Sequence, residues 1–83
     1  MQVTVKYRGH LAELTRIAAE QIDAATVKDA LRHIKTQFGA EAVKNAKSML
    51  IVINGESILQ LDHFKTALKE GDEISFLPIC GGG

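Results

Sequence analysis

The chain has 83 residues, 46% of them hydrophobic, and its 10 basic and 10 acidic side chains cancel to a formal charge of zero. That length allows one domain with one modest core and excludes a two-domain enzyme with an interdomain cleft. Neutrality excludes the electrostatic footprint of a nucleic-acid binder or a polybasic membrane anchor, and the single cysteine, Cys80, excludes an intrachain disulfide and fits a reducing cytosol.

Along the chain, Val3, Val5 and Tyr7 alternate with Gln2, Thr4 and Lys6, the period of a half-buried strand, and Gly9 breaks it. This start lacks the charged and apolar regions of a signal peptide. No apolar run approaches the roughly 20 residues of a membrane span, so a soluble, cytoplasmic protein is expected. From His10 to Ala25 two readings compete: Leu11 and Leu14 suggest a helical turn, whereas Ile17 to Ile22 suits the second strand of a hairpin. Val27, Ala30, Leu31, Ile34 and Phe38 then fall on one helical face, with Lys28, Arg32 and Lys35 off it. Thr26 is placed to cap this helix, Asp29 occupies the capping-box position, and Gly39 is placed to end it. Ala42, Val43 and Ala46 suggest a short second helical piece.

Met49 to Ile53 is a continuous apolar run that ends at Asn54-Gly55, which reads as a buried central strand entering a tight turn. Ile58, Leu59 and Leu61 are expected to form a short return strand. Glu70-Gly71-Asp72 signals another turn before a last strand in which Ile74 and Phe76 alternate with Glu73 and Ser75, and Pro78 ends its pairing. The order of two strands, one main helix and two or three strands predicts an α+β fold, a mixed sheet with the helix across one face. The ubiquitin-like β-grasp is its economical form, with a domain over residues 1–78 and a flexible tail over 79–83.

That tail ends in Gly81, Gly82 and Gly83. Glycine loses the most conformational entropy on ordering, so a glycine run is a poor structural element. It is well suited to threading through a channel that excludes side chains. From Pro78 to Gly83 the chain reaches about 20 Å at most, enough to enter another protein's active site. The α-carboxyl, with a usual pKa of about 3.3–3.7, is ionised near neutral pH and able to attack a nucleotide phosphate.

Three stretches carry a family resemblance: Ile53-Asn-Gly-Glu-Ser-Ile58, then Leu68-Lys-Glu-Gly-Asp-Glu-Ile-Ser-Phe-Leu-Pro78, then the glycine terminus. With them the sequence resembles the MoaD/ThiS family of ubiquitin-like sulfur carriers, and most closely its molybdopterin synthase small subunits. The family commonly has Pro-Pro before the tail, where this chain has Pro78 and Ile79. The resemblance implies that a ubiquitin-activating-type adenylyltransferase uses ATP to adenylate Gly83, and that sulfur transfer makes it a thiocarboxylate. Gly82 and Gly81 keep the approach narrow. It further implies delivery of sulfur to a pterin precursor inside the molybdopterin synthase large subunit, with the chain a carrier rather than an enzyme and with no cofactor bound. Thiamine thiazole synthesis, transfer-RNA thiolation and ubiquitin-like protein modification use the same ending and stay open.

Other residues have weaker claims. Cys80 stands three residues from the reactive end but has no obvious thiolate stabiliser nearby. His10, His33 and His63 show no ligand spacing, so no metal site is expected and they read as surface or edge residues. Asp62, Glu70, Asp72 and Glu73 either offer acid to a basic partner near the tail or belong to turns and solvated edges. Leu77, opposite in alternation to Ile74 and Phe76, is a candidate docking contact.

Overall fold

The computed structural model describes residues 1–79. Its strands are β1 (Gln2–Tyr7), β2 (Ala19–Asp23), β3 (Leu50–Ile53), β4 (Glu56–Ser57) and β5 (Glu73–Leu77), and its helices are α1 (Gly9–Thr15), α2 (Val27–Phe38) and α3 (Ala40–Lys47). The strands form one mixed sheet in the order β2-β1-β5-β3-β4. β1 and β5 run parallel, from Thr4 opposite Glu73 to Tyr7 opposite Phe76, and every other pairing is antiparallel.

Alternation along each strand sends one set of side chains toward the helices. Val3, Val5 and Tyr7 of β1, Ile22 of β2, Ile51 and Ile53 of β3, and Ile74 and Phe76 of β5 are all buried there. From the helix side come Leu11, Val27, Ala30, Leu31, Ile34, Ala42 and Ala46. Burying each of the larger aliphatic side chains contributes about 1.5–3 kcal/mol, which sets the position of α2 across the sheet. Its start is fixed as expected: the Asp29 amide donates to Thr26 Oγ1 at 3.2 Å and Asp29 Oδ2 accepts from the Thr26 amide at 3.2 Å. Gly39, at φ 99°, ends it.

Several expectations need correction. Between His10 and Ala25 the two readings are both realised, in sequence: α1 covers the first half and β2 the second. Arg16, in the left-handed region at φ 65°, turns the chain between them, and Ile17 falls outside the strand. Among the described residues there are three α-helices: α2 is the expected main helix, α1 the helical turn at Leu11 and Leu14, and α3 the short second piece at Ala42, Val43 and Ala46. The central position in the sheet belongs to β5, not to the Met49–Ile53 run, because β5 alone pairs with both β1 and β3. The return strand is only Glu56–Ser57, and Ile58–Gln60 turns into a 3-10 helix. Ser57 Oγ causes this by accepting the Leu59 amide at 3.1 Å, a local bond that competes with the ladder.

The turn between β3 and β4 is anchored to the turn before β5. Asn54 and Gly55 both take positive φ, 52° and 87°, as a two-residue hairpin turn requires. Asn54 Nδ2 donates to Asp72 Oδ1 at 2.9 Å, and the Lys69 amide donates to Asp72 Oδ2 at 2.8 Å. The Lys69 amide, and then the Asn54 side chain, hold the Asp72 carboxyl below its usual pKa. A depressed carboxyl contributes stability that is present above the unfolded value, about 3.9, and is lost as pH falls through the folded one. Asp72→Asn is thus expected to cost about 1 kcal/mol at neutral pH and to flatten the acid limb of the stability curve. Urea melts from neutral to acid pH check this, and identical acid limbs in the two proteins would refute it.

Candidate functional site

The last strand carries the chain to one end of the sheet. Leu77 lies opposite Leu50 of β3 and is half-buried on the face away from the helices, so the alternation expected for it is correct. Pro78 then packs where Gly9 leaves room. Gly9 has φ +60°, and a Cβ there would come within 3.1 Å of Pro78 Cγ. Gly9→Ala meets both a left-handed backbone and this contact. It is expected to cost about 1–2 kcal/mol and to displace the root of the tail, readable as a lowered melting temperature with shifted Pro78 resonances. Unchanged Pro78 signals would count against the packing role.

Beyond Pro78, Ile79 is 63% exposed. Its side chain closes a shallow, mostly apolar groove of about 170 Å³ whose other walls include Met49, Leu50, Leu59, Phe64 and Lys47. Leu59 and Phe64 are 62% and 41% exposed, because the two 3-10 turns after β4 (Ile58–Gln60 and His63–Lys65) hold them out of the core. An exposed apolar cluster beside a chain exit has the character of a contact surface. The sequence signal for it was the run Ile58, Leu59, Leu61, read as strand. Only Ile58 of that run is buried.

The predicted site residues Gly81, Gly82 and Gly83, together with Cys80, lie outside the described residues. The acidic residues separate from the tail. Glu73 begins β5 and Leu77 ends it, so at about 3.3 Å per residue they are some 13 Å apart. Glu70 and Asp72 cluster with Glu73, where Glu70 Oε1 accepts the Gln2 amide at 2.9 Å. These three therefore take the turn role of the two readings, whereas Asp62 precedes the 3-10 turn whose His63 and Phe64 line the groove with Ile79.

The histidines lie apart. His10 pairs with Glu13 at 3.2 Å, and His33 Nε2 lies 3.1 Å from Glu20 Oε2. Among the described residues no group of three or more His, Cys, Asp or Glu side chains is placed to hold a metal ion. The Glu20 carboxylate also accepts the Tyr7 hydroxyl at 2.6 Å. Burial, then that bond, pushes the Tyr7 phenol far above its usual pKa, so it stays neutral. This half-buried link between β1, β2 and α2 had no sequence signal, since each contact spans 13 positions. No described helix is long and apolar enough to cross a membrane.

A mixed five-stranded sheet clasping helices on one face, with its last strand handing over to a glycine run, defines a ubiquitin-like β-grasp carrier or modifier. A model of the ThiS family matches residues 5–83, and the chain belongs to that family. It is 31% identical over 67 residues to small archaeal modifier protein 3 of Haloferax volcanii, an alignment covering 74% of this chain and 73% of that one. Its structure is similar to the solution structure of small archaeal modifier protein 1 from Methanosarcina acetivorans, with a TM-score of 0.81, 29% identity and coverage of 99% and 96% of the two chains. It is also similar to a chain in the complex of subunits 1 and 2 of molybdopterin-converting factor from Helicobacter pylori, with a TM-score of 0.66 and 31% identity over 100% of both chains.

Proposed function

We propose that the chain is a sulfur carrier whose Gly83 carboxylate is the reacting group. A carboxylate oxygen attacks the α-phosphate of ATP in a ubiquitin-activating-type adenylyltransferase, forming an acyl-adenylate and releasing pyrophosphate. Hydrosulfide released from a donor then attacks the acyl carbon, AMP leaves, and a thiocarboxylate remains. Sulfur leaves with the acceptor substrate, and water oxygen restores the carboxylate for another round. The carrier is consumed and regenerated, and the partner supplies the catalytic groups.

For the acceptor we propose a pterin precursor, with the chain as the small subunit of molybdopterin synthase. The observation that carries this is the full-length likeness to a chain in the complex of molybdopterin-converting factor subunits. The exposed groove of Leu59, Phe64 and Ile79 supports it, because a large subunit that swallows the tail must press on the surface around the tail's root. Incubation with ATP, a competent adenylyltransferase and a sulfur source, followed by intact-mass analysis, is expected to show one oxygen replaced by sulfur at the C-terminus. Mixing the product with a molybdopterin synthase large subunit then tests the pathway, and failure to form dithiolene would redirect it to thiazole or transfer-RNA substrates.

A second reading is favoured by the likeness to two small archaeal modifier proteins. There the activated Gly83 carbonyl forms an isopeptide bond with a lysine amine, displacing AMP. Conjugates carrying a Gly83–lysine linkage, recovered from cells and mapped by mass spectrometry, would establish that role.

A further inference from the structure

The chain is neutral, yet its charges are segregated along the strand axis. Where β5 leaves the sheet, Arg8 precedes the Gly9 that packs on Pro78, and Lys44 and Lys47 form the last turn of α3. Lys47 lines the groove closed by Ile79. All three are exposed, and none takes part in an ion pair among the described residues. The acidic residues near this end are Glu13, paired with His10, Glu20, held by Tyr7 and His33, Glu41 in the first turn of α3, and Asp62, next to the groove-lining His63.

At the opposite end Asp23 ends β2, Glu56 starts β4, and Glu70, Asp72 and Glu73 surround the start of β5. The cations nearby are Lys69, the Met1 ammonium, which Asp23 takes at 2.6 Å, and Lys6, whose Nζ lies 3.4 Å from Glu73 Oε1. The two ends are separated by about the 13 Å length of β5, taking roughly 3.3 Å per residue. The Debye length is about 8 Å at physiological salt. A protein approaching the tail therefore experiences the basic end with the acidic end largely screened.

We infer that Arg8, Lys44 and Lys47 form a steering edge for a protein partner that carries carboxylates around the channel admitting Gly83. This rests on the carrier reading above and adds the chemistry of the partner's surface. Rim charges act mainly on association rate and on its salt dependence. The basic edge thus brings the tail to the channel mouth, and the apolar groove provides the contact once docked.

The test uses the full chain with the ubiquitin-activating-type adenylyltransferase of the same organism and follows pyrophosphate release against carrier concentration. Lys47→Glu is expected to raise KM at least about fivefold at low salt, leave kcat within about twofold, and lose most of that difference at high salt. Lys69→Glu makes the same change in net charge at the acidic end and is expected to leave KM within about twofold. Thermal melts of the Lys47 variant should match the parent, since the side chain is exposed and unpaired among the described residues. A Lys47→Glu protein with parental KM and salt dependence would overturn the inference, as would an equal KM rise from Lys69→Glu. Absence of pyrophosphate release from the unaltered chain, with an enzyme active on its own carrier, would instead bring down the carrier reading, and the inference with it.

Discussion

Deletion of Gly82 and Gly83 is expected to abolish thiocarboxylate formation while leaving the folded domain intact. Two residues fewer withdraw the terminal carboxylate by about 7 Å at roughly 3.3–3.6 Å per residue. Reaction within an active site tolerates far less, since a displacement of about 1 Å can cost a hundredfold in rate. Among the described residues, by contrast, the core ends at Phe76, and the deleted glycines have no side chains to bury. Intact-mass analysis after activation reads the first effect and a urea melt the second. Gly83→Ala adds one methyl group at the reacting residue and is expected to slow activation by about a hundredfold with an unchanged melt. A truncated chain that still exchanged oxygen for sulfur at its end would remove Gly83 from the proposal. A truncated chain that lost stability would show the glycines to be part of the body.

The largest effect on the body is expected at Phe76. It is fully buried on β5, stacked on Tyr7 with ring centroids 6.1 Å apart and an interplanar angle of 19°. Tyr7 in turn meets Phe38 edge-on at 5.8 Å, so one ring on the central strand supports a chain of contacts out to α2. Phe76→Ala leaves a cavity at the middle of the sheet and is expected to cost about 3–5 kcal/mol. An 83-residue domain has roughly 4–12 kcal/mol in all, at 0.05–0.15 kcal/mol per residue. The variant should therefore lose between about a quarter of the total stability and all of it, and its urea midpoint should fall sharply. Phe76→Leu keeps most of the volume and is expected to lose much less, about 1–1.5 kcal/mol. Equal midpoints for the alanine variant and the parent would contradict the packing described for this ring.

Features set by local periodicity and local bonds were legible in the sequence. The face of α2 and its Thr26–Asp29 cap needed only spacing and capping chemistry, and Asn54-Gly55 marked its turn through the positive φ both residues adopt. Features set by long-range pairing were not. Nothing local to Leu50–Ile53 or Glu73–Leu77 says which strand is central, because that depends on β1 joining β5 across almost the whole chain. Apolar composition misled at Leu59 and Leu61, where the Ser57 hydroxyl captures an amide and ends the strand. Of the candidate site, the glycine run was plain, but its root was hidden. Gly9 reads as a strand breaker, and only the fold brings it to Pro78, as only the fold brings Lys47 to Ile79.

The parallel pairing of β1 with β5 also bears on how the molecule is made. β1 pairs with the last described strand as well as with β2, with Thr4 waiting for Glu73 and Tyr7 for Phe76. Such distant partners carry a high loop-closure cost and slow folding. Until β5 arrives, β3 and β1 have no common neighbour and the sheet exists only as two fragments, β2-β1 and β3-β4. A nascent or prematurely terminated chain thus lacks the one strand that joins the two fragments into a single sheet.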